Sequence, residues 1–202
     1  MGLNFTSPGP AYAAGMPDDP PGTLWTIGHS TRDWPTFLGM LTQAGIVNLV
    51  DVRRFAGSRR HPQFSGEAMA EALAQAGILY VPMPELGGRR TPAPDSRNTA
   101  WRNAAFRGYA DYMATAPYRQ ARDRLASLAR QARTAVMCAE AVWWQCHRGL
   151  IADDFKASGW HVIHLLAPGR QDEHPFTSAA RIVEGHLVYS PASDTAGQGA
   201  LF

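Results

Sequence analysis

The apolar run "VNLVDVR", residues 47–53, is the stretch that most limits what this chain can fold into. Such a run reads as a strand buried on both faces of a parallel sheet. Four more short runs resemble it: "LWTIGHS" from Leu24, "LYVPMPEL" from Leu79, "TAVMCAE" from Thr134 and "WHVIHLL" from Trp160. Helix-like segments separate them. "TRDWPTFLGMLTQAGI" spaces Trp34, Phe37, Leu38 and Leu41 at helical intervals and stops at Gly45. "SGEAMAEALAQAGI" is a helix that Ser65 can cap and Gly77 ends. "YADYMATAPYRQARDRLASLARQA" is helical with a break near Pro117, and "CHRGLIADDFKASG" is helical again. Strands alternating with helices predict a single α/β domain, a mostly parallel sheet with helices on both faces. "RIVEGHLVYSP" predicts a C-terminal β-hairpin turning at Glu184-Gly185.

The length of 202 residues suits one such domain, expected over residues 23–190. The Pro-, Gly- and Asp-rich residues 1–22 read as a disordered leader, and residues 191–202 as a flexible tail. The leader has neither the basic start nor the apolar centre of a secretory signal. No run of about 18 apolar residues predicts a transmembrane helix. Two cysteines do not make a disulfide scaffold, so a reducing cytoplasm is the expected compartment.

In a parallel sheet the ligand crevice lies beyond the carboxyl ends of the strands. The pattern puts His29, Asp51, Arg53, Arg54, Glu85, Cys138, Glu140 and His164 there. The two loops leaving the second and third strands, "RRFAGSRRHPQF" and "GGRRTPAPDSRNTAWR", are basic. Residues 53–107 hold nine arginines against four acids, although the whole chain is only +2. Arg53, Arg54, Arg59, Arg60, Arg89 and Arg90, with Phe55, Phe64 and Trp101 interleaved, are what a phosphate-bearing polymer or nucleotide calls for.

Three chemistries compete at this rim. Cys138 ends a strand before a helix N-terminus, where a thiol pKa falls and a nucleophile is presented. This is similar to the layout of rhodaneses and cysteine phosphatases, but Cys138 and Arg148 are ten residues apart and no glycine lies between them to build a tight anion cradle. The bland alternative is a small buried hydrophobe. Asp51, Glu85 and Glu140 could instead supply acid–base or N-glycosidic chemistry, or Asp51 and Glu140 could merely pair with arginines; His29 is a further catalytic candidate. His147 and Arg148 open a helix whose dipole they oppose, a conflict that a bound anion would resolve. Cysteine spacing argues against a metal site, and no cofactor is implied. Trp143 and Trp144 are either core or a stacking surface.

The motifs "TIGHSTR", "LVDVRRFAGSRRHPQFS", "YVPMPELGGRR", "FRGYADYM", "VMCAEAVWWQCHRGLIADDF" and "HPFTSAARIVEGHLVY" occur in order. On these the chain resembles the domain-of-unknown-function 488 family over about residues 24–190. The resemblance implies an α/β fold and no assigned activity. The last five residues, "QGALF", are similar to the Gln-x-x-Leu-Phe peptide with which bacterial DNA-processing proteins dock on the replication sliding clamp, with Gln198, Leu201 and Phe202 as the contacts. Together these features lead to the expectation of a nucleic-acid-directed enzyme, in DNA repair or base processing. The alternatives are a rhodanese-like or phosphate-handling enzyme using Cys138, and a non-catalytic nucleic-acid or nucleotide-binding adaptor.

Overall fold

The computed structural model describes residues 22–57 and 60–191. Arg59, the leader up to residue 21 and the tail bearing Gln198, Leu201 and Phe202 lie outside the described residues.

The elements follow in chain order as β1 (Thr23–Gly28), α1 (Trp34–Gln43), β2 (Asn48–Asp51), α2 (Gly66–Gln75) and β3 (Leu79–Pro82), then α3 (Ala104–Met113), α4 (Ala116–Gln131), β4 (Thr134–Cys138), α5 (Arg148–Ala157), β5 (His161–Ala167), β6 (Arg170–Glu173), β7 (Arg181–Val183) and β8 (His186–Val188). The sheet order is β3-β2-β4-β1-β5-β6. Five strands are parallel, and β6 joins β5 antiparallel at the edge. β7 and β8 form the separate C-terminal hairpin, turning through Glu184 and Gly185, both at positive φ. The fold is α/β, as the alternation of runs predicts.

Local chemistry sets the helix boundaries. The Asp33 side chain accepts from Thr36 N and caps α1, with a proline in its first turn. Ser65 caps α2 through Ala68 N, and Gly77 follows its end at φ +73°. Thr115 separates α3 from α4 beside Pro117, the expected break.

Alternating strand residues feed two cores. On one face Trp25, Ile27, Leu49, Ala135 and Met137 pack with Phe37, Met40 and Leu41 of α1 and Met69 and Leu73 of α2. On the other, Leu24, Val50, Val136 and Cys138 pack with Tyr109 of α3, Leu125 of α4 and Leu150 and Phe155 of α5. Each large side chain so buried contributes about 1.5–3 kcal/mol of transfer free energy. Among the described residues no helix is long and apolar enough to cross a membrane.

Three local expectations need correction. β3 stops at Pro82, and Glu85 lies instead in a short 3-10 turn, exposed and paired with Arg124 at 2.9 Å. β6 was not expected; its sequence, Arg-Gln-Asp-Glu, is polar and exposed at every position, so no apolar run marks it. His164 sits within β5, not on the rim, and is buried in a polar chain described below.

Candidate active site

β1 and β4 run side by side with Gly28 opposite Cys138, and their carboxyl ends form the floor of a cavity of about 820 Å³. Beyond the pairing, His29 N donates to Cys138 O at 3.1 Å and Ser30 N to Ala139 O at 2.8 Å. The chain after Cys138 then folds back over β1. Gly28 makes this possible, because a Cβ there would lie 1.7 Å from the backbone oxygen of Glu140. Gly88, from the loop after β3, passes so close to His147 that a Cβ would sit 2.8 Å from Nδ1. Loops from three strand ends thus meet at one place, as the parallel architecture requires.

Cys138 and Cys146 are both free and buried, and both line this cavity. Their Sγ atoms are 2.8 Å apart. Burial alone pushes the Cys138 thiol up. The Cys146 S–H, the Arg148 charge and a backbone hydrogen bond with Glu140 outweigh it and bring Cys138 down to about 7. Cys146 goes the other way, held well above its ordinary value by its hydrogen bond to Cys138 and by burial. Cys138 is therefore the thiol of the pair that ionises first, half of it near pH 7, while Cys146 keeps its proton.

Arg148 does not reach out to a helix-bound anion. It is 1 % exposed, and its Nη2 donates back to the carbonyls of Glu140 at 3.0 Å and Ala141 at 3.3 Å, while its Nε has no partner. Among the described residues no carboxylate pairs with it. His147 is not a cation either. Burial lowers it to about 4, and Nε2–H donates to Val52 O at 3.3 Å, leaving Nδ1 as an acceptor 3.4 Å from Cys146 Sγ. The expected anion site at the opening of α5 is replaced by a buried guanidinium beneath the Cys138 loop.

Of the expected carboxylates, Asp51 is locked away. It accepts from Arg53 Nε and Nη2 (2.6 Å to the latter) and from Tyr80 OH at 2.6 Å, and is 1 % exposed. Arg53 is thereby committed to Asp51 and to Phe64 O, and is no free anion ligand. Tyr80 is a site neighbour that the sequence pattern missed, since a tyrosine inside a strand looks like any other β-former. Glu140 is exposed on the cavity wall, and its side chain has no hydrogen-bond partner among the described residues. His29 also lines the cavity, stacked on Phe64 at 4.4 Å. Burial keeps it neutral, with a pKa of about 4; Nδ1–H donates to Ser30 O and Nε2 faces Arg53 Nη1 at 3.3 Å.

The remaining arginines divide. Arg54, Arg60 and Arg89 are exposed and line the cavity, with Phe55 66 % exposed beside them. Arg90 turns away: it stacks over Tyr112 at 3.6 Å and donates to Gly87 O and Glu85 O. The tryptophans divide too. Trp143 packs inward on the His164 ring at 4.7 Å, while Trp144 is 52 % exposed.

No curated protein and no solved structure matches the chain. A family model does: the one described as domain of unknown function DUF488 matches residues 33–155, from the cap of α1 to the last turns of α5, and so spans the cysteine pair, Arg148 and the basic loops. The chain belongs to the DUF488 family.

Proposed function

We propose that this protein is a nucleic-acid-directed thiol enzyme, acting in DNA repair or base processing, with Cys138 as nucleophile. One observation carries the reading. A thiol drawn down to about 7 lies on the floor of a cavity whose mouth bears Arg54, Arg60, Arg89 and the exposed ring of Phe55. Among the described residues no carboxylate pairs with the buried guanidinium of Arg148, and a thiolate at Cys138 supplies the compensating charge that such a cation needs. The exposed arginines suit phosphates, and Phe55 offers a base a stacking face. A nucleophilic Cys138 then attacks an electrophilic carbon of the bound nucleotide, forming an S–C bond as the bond from that carbon to its leaving group breaks and the electron pair departs with that group. The carboxylate route is less well supported. Asp51 is ion-paired with Arg53 and hydrogen-bonded by Tyr80, and Glu140 is exposed. Asp51 and Arg53 act as positioning residues for His29 and the loop after β2.

A small-molecule thiol enzyme is the second reading, favoured by the cavity volume, which falls in the range that holds a small ligand whole. Salt separates the two. With three exposed arginines on phosphates, the logarithm of DNA affinity should fall against the logarithm of salt with a slope of about −2 to −3. Cys138→Ser should keep that binding while losing any mass change on a panel of damaged oligonucleotides. Absence of DNA binding at low salt would sink the nucleic-acid reading and leave the small-molecule one. The tail motif Gln198, Leu201 and Phe202 supports docking on the sliding clamp; deleting the last five residues should abolish clamp binding, and unchanged affinity would remove that partner.

A further inference from the structure

We infer that Cys138 and Cys146 form a reversible intramolecular disulfide, which makes the cavity floor a redox modification site whose reagent is a small hydroperoxide. Four observations carry this. The two Sγ atoms are 2.8 Å apart, so closure to the roughly 2.05 Å of a bond needs a shift of under about 1 Å. Both thiols line the same cavity, which a peroxide can enter. The pair is asymmetric: Cys138 ionises first and Cys146 keeps its proton, which assigns an attacking and a resolving thiol. His147 Nδ1 lies 3.4 Å from Cys146 Sγ, and because Nε2–H is tied to Val52 O, that nitrogen is an acceptor that can orient the Cys146 S–H.

The steps balance. The Cys138 thiolate attacks one oxygen of the peroxide, the O–O bond breaks, and hydroxide leaves and takes a proton from solvent. Cys138 is now a sulfenic acid, and the peroxide has been reduced by two electrons. Cys146 attacks the Cys138 sulfur and releases its proton. The S–O bond breaks, and the departing hydroxide takes that proton and leaves as water. Two thiols and one peroxide give one disulfide and two waters. A dithiol such as dithiothreitol reverses the bond by exchange. The bond consumes the nucleophile, so oxidation switches the enzyme off; that consequence rests on the proposed role of Cys138, whereas formation of the bond does not.

The test reads mass, not turnover, and so stands apart from the functional proposal. The reduced full chain is treated with stoichiometric hydrogen peroxide, denatured and alkylated with N-ethylmaleimide. Because the chain holds only two cysteines, every product is readable. The expected product is a monomer about 2 Da lighter that takes up no maleimide, and that takes up two after dithiothreitol. Two maleimides after peroxide, a disulfide-linked dimer, or oxygen added without a bridge would each overturn the inference. In Cys146→Ala the sulfenic acid has no resolving thiol and proceeds to the sulfinic acid, about 32 Da heavier and not reversed by dithiothreitol. An unmodified Cys138 in that variant would overturn its assignment as the attacking thiol.

Discussion

A thiol is reactive only as the thiolate, so the environment of Cys138 sets a pH profile that can be measured without knowing the substrate. Burial opposes ionisation, while the Cys146 S–H and the Arg148 charge favour it more strongly. Iodoacetamide alkylation of Cys138 should therefore rise with pH and reach half its plateau near pH 7, not in the range of an ordinary cysteine. Cys146→Ala removes the S–H that stabilises the thiolate and should move that midpoint up by about one pH unit; an unmoved midpoint would show that Cys146 does not hydrogen-bond the thiolate. Asp51→Asn tests a different residue role. It would leave Arg53 buried without its counter-ion and cost about 3–5 kcal/mol in a urea melt. Much of this site was legible from strand ends alone: Cys138, Glu140 and His29 fall at the rim because β1 and β4 stop there. The pairing of Cys138 with Cys146 was not, because it depends on how residues 139–147 fold back over Gly28. Nor was the neutrality of His147, since sequence position carries no information about desolvation.

At the scale of elements, a buried polar chain ties the sheet to α5 and the C-terminal segment. Thr26 Oγ1 meets His164 Nδ1 at 2.7 Å, His164 Nε2 meets His174 Nδ1 at 2.9 Å, and His174 Nε2 meets Asp153 Oδ1 at 3.0 Å. Asp153, on α5, also accepts from Thr177 N, Thr177 Oγ1 and Tyr189 OH. One fully buried carboxylate thus anchors the residues on both sides of the β7–β8 hairpin. Asp153→Asn replaces one acceptor oxygen by a donor that faces other donors, and should cost about 2–4 kcal/mol. Hydrogen exchange should show the loss first as faster exchange in β7 and β8, with β1, β2 and β4 protected as before. Equal loosening of the whole sheet would contradict the anchoring role. Apolar periodicity marks α1, α2 and the parallel strands because those elements are amphipathic or buried. It cannot mark this chain of contacts, whose members lie scattered from Thr26 to Tyr189, and it placed His164 on the rim by its position in a strand when the side chain faces His174 and Trp143.

For the whole molecule, the buried histidines set a limit on acid stability. His29 and His147 are lowered to about 4, chiefly by burial, and His164 falls further, through burial and then the charges of His174 and Arg148. Each is neutral in the fold, whereas in the unfolded chain each binds a proton near pH 6.5. Below that value the unfolded state holds more protons than the native one, so stability falls with falling pH. The contribution is intact above about pH 6.5 and is lost progressively down to about pH 4. Each histidine removes about 1.4 kcal/mol per pH unit in that window, or about 4 kcal/mol per unit for the three together. Against a typical domain stability of about 5–15 kcal/mol, that loss should unfold the protein roughly two to three units below pH 6.5. Urea melts between pH 7.5 and 5 should show the midpoint dropping steeply below about pH 6.5. His147→Gln, which keeps a polar side chain but cannot titrate, should shallow that slope by about one third. A stability that stays flat from pH 7 to pH 5 would mean that these rings take up protons within the fold, and would undo the neutral assignment on which the acceptor role of His147 Nδ1 depends.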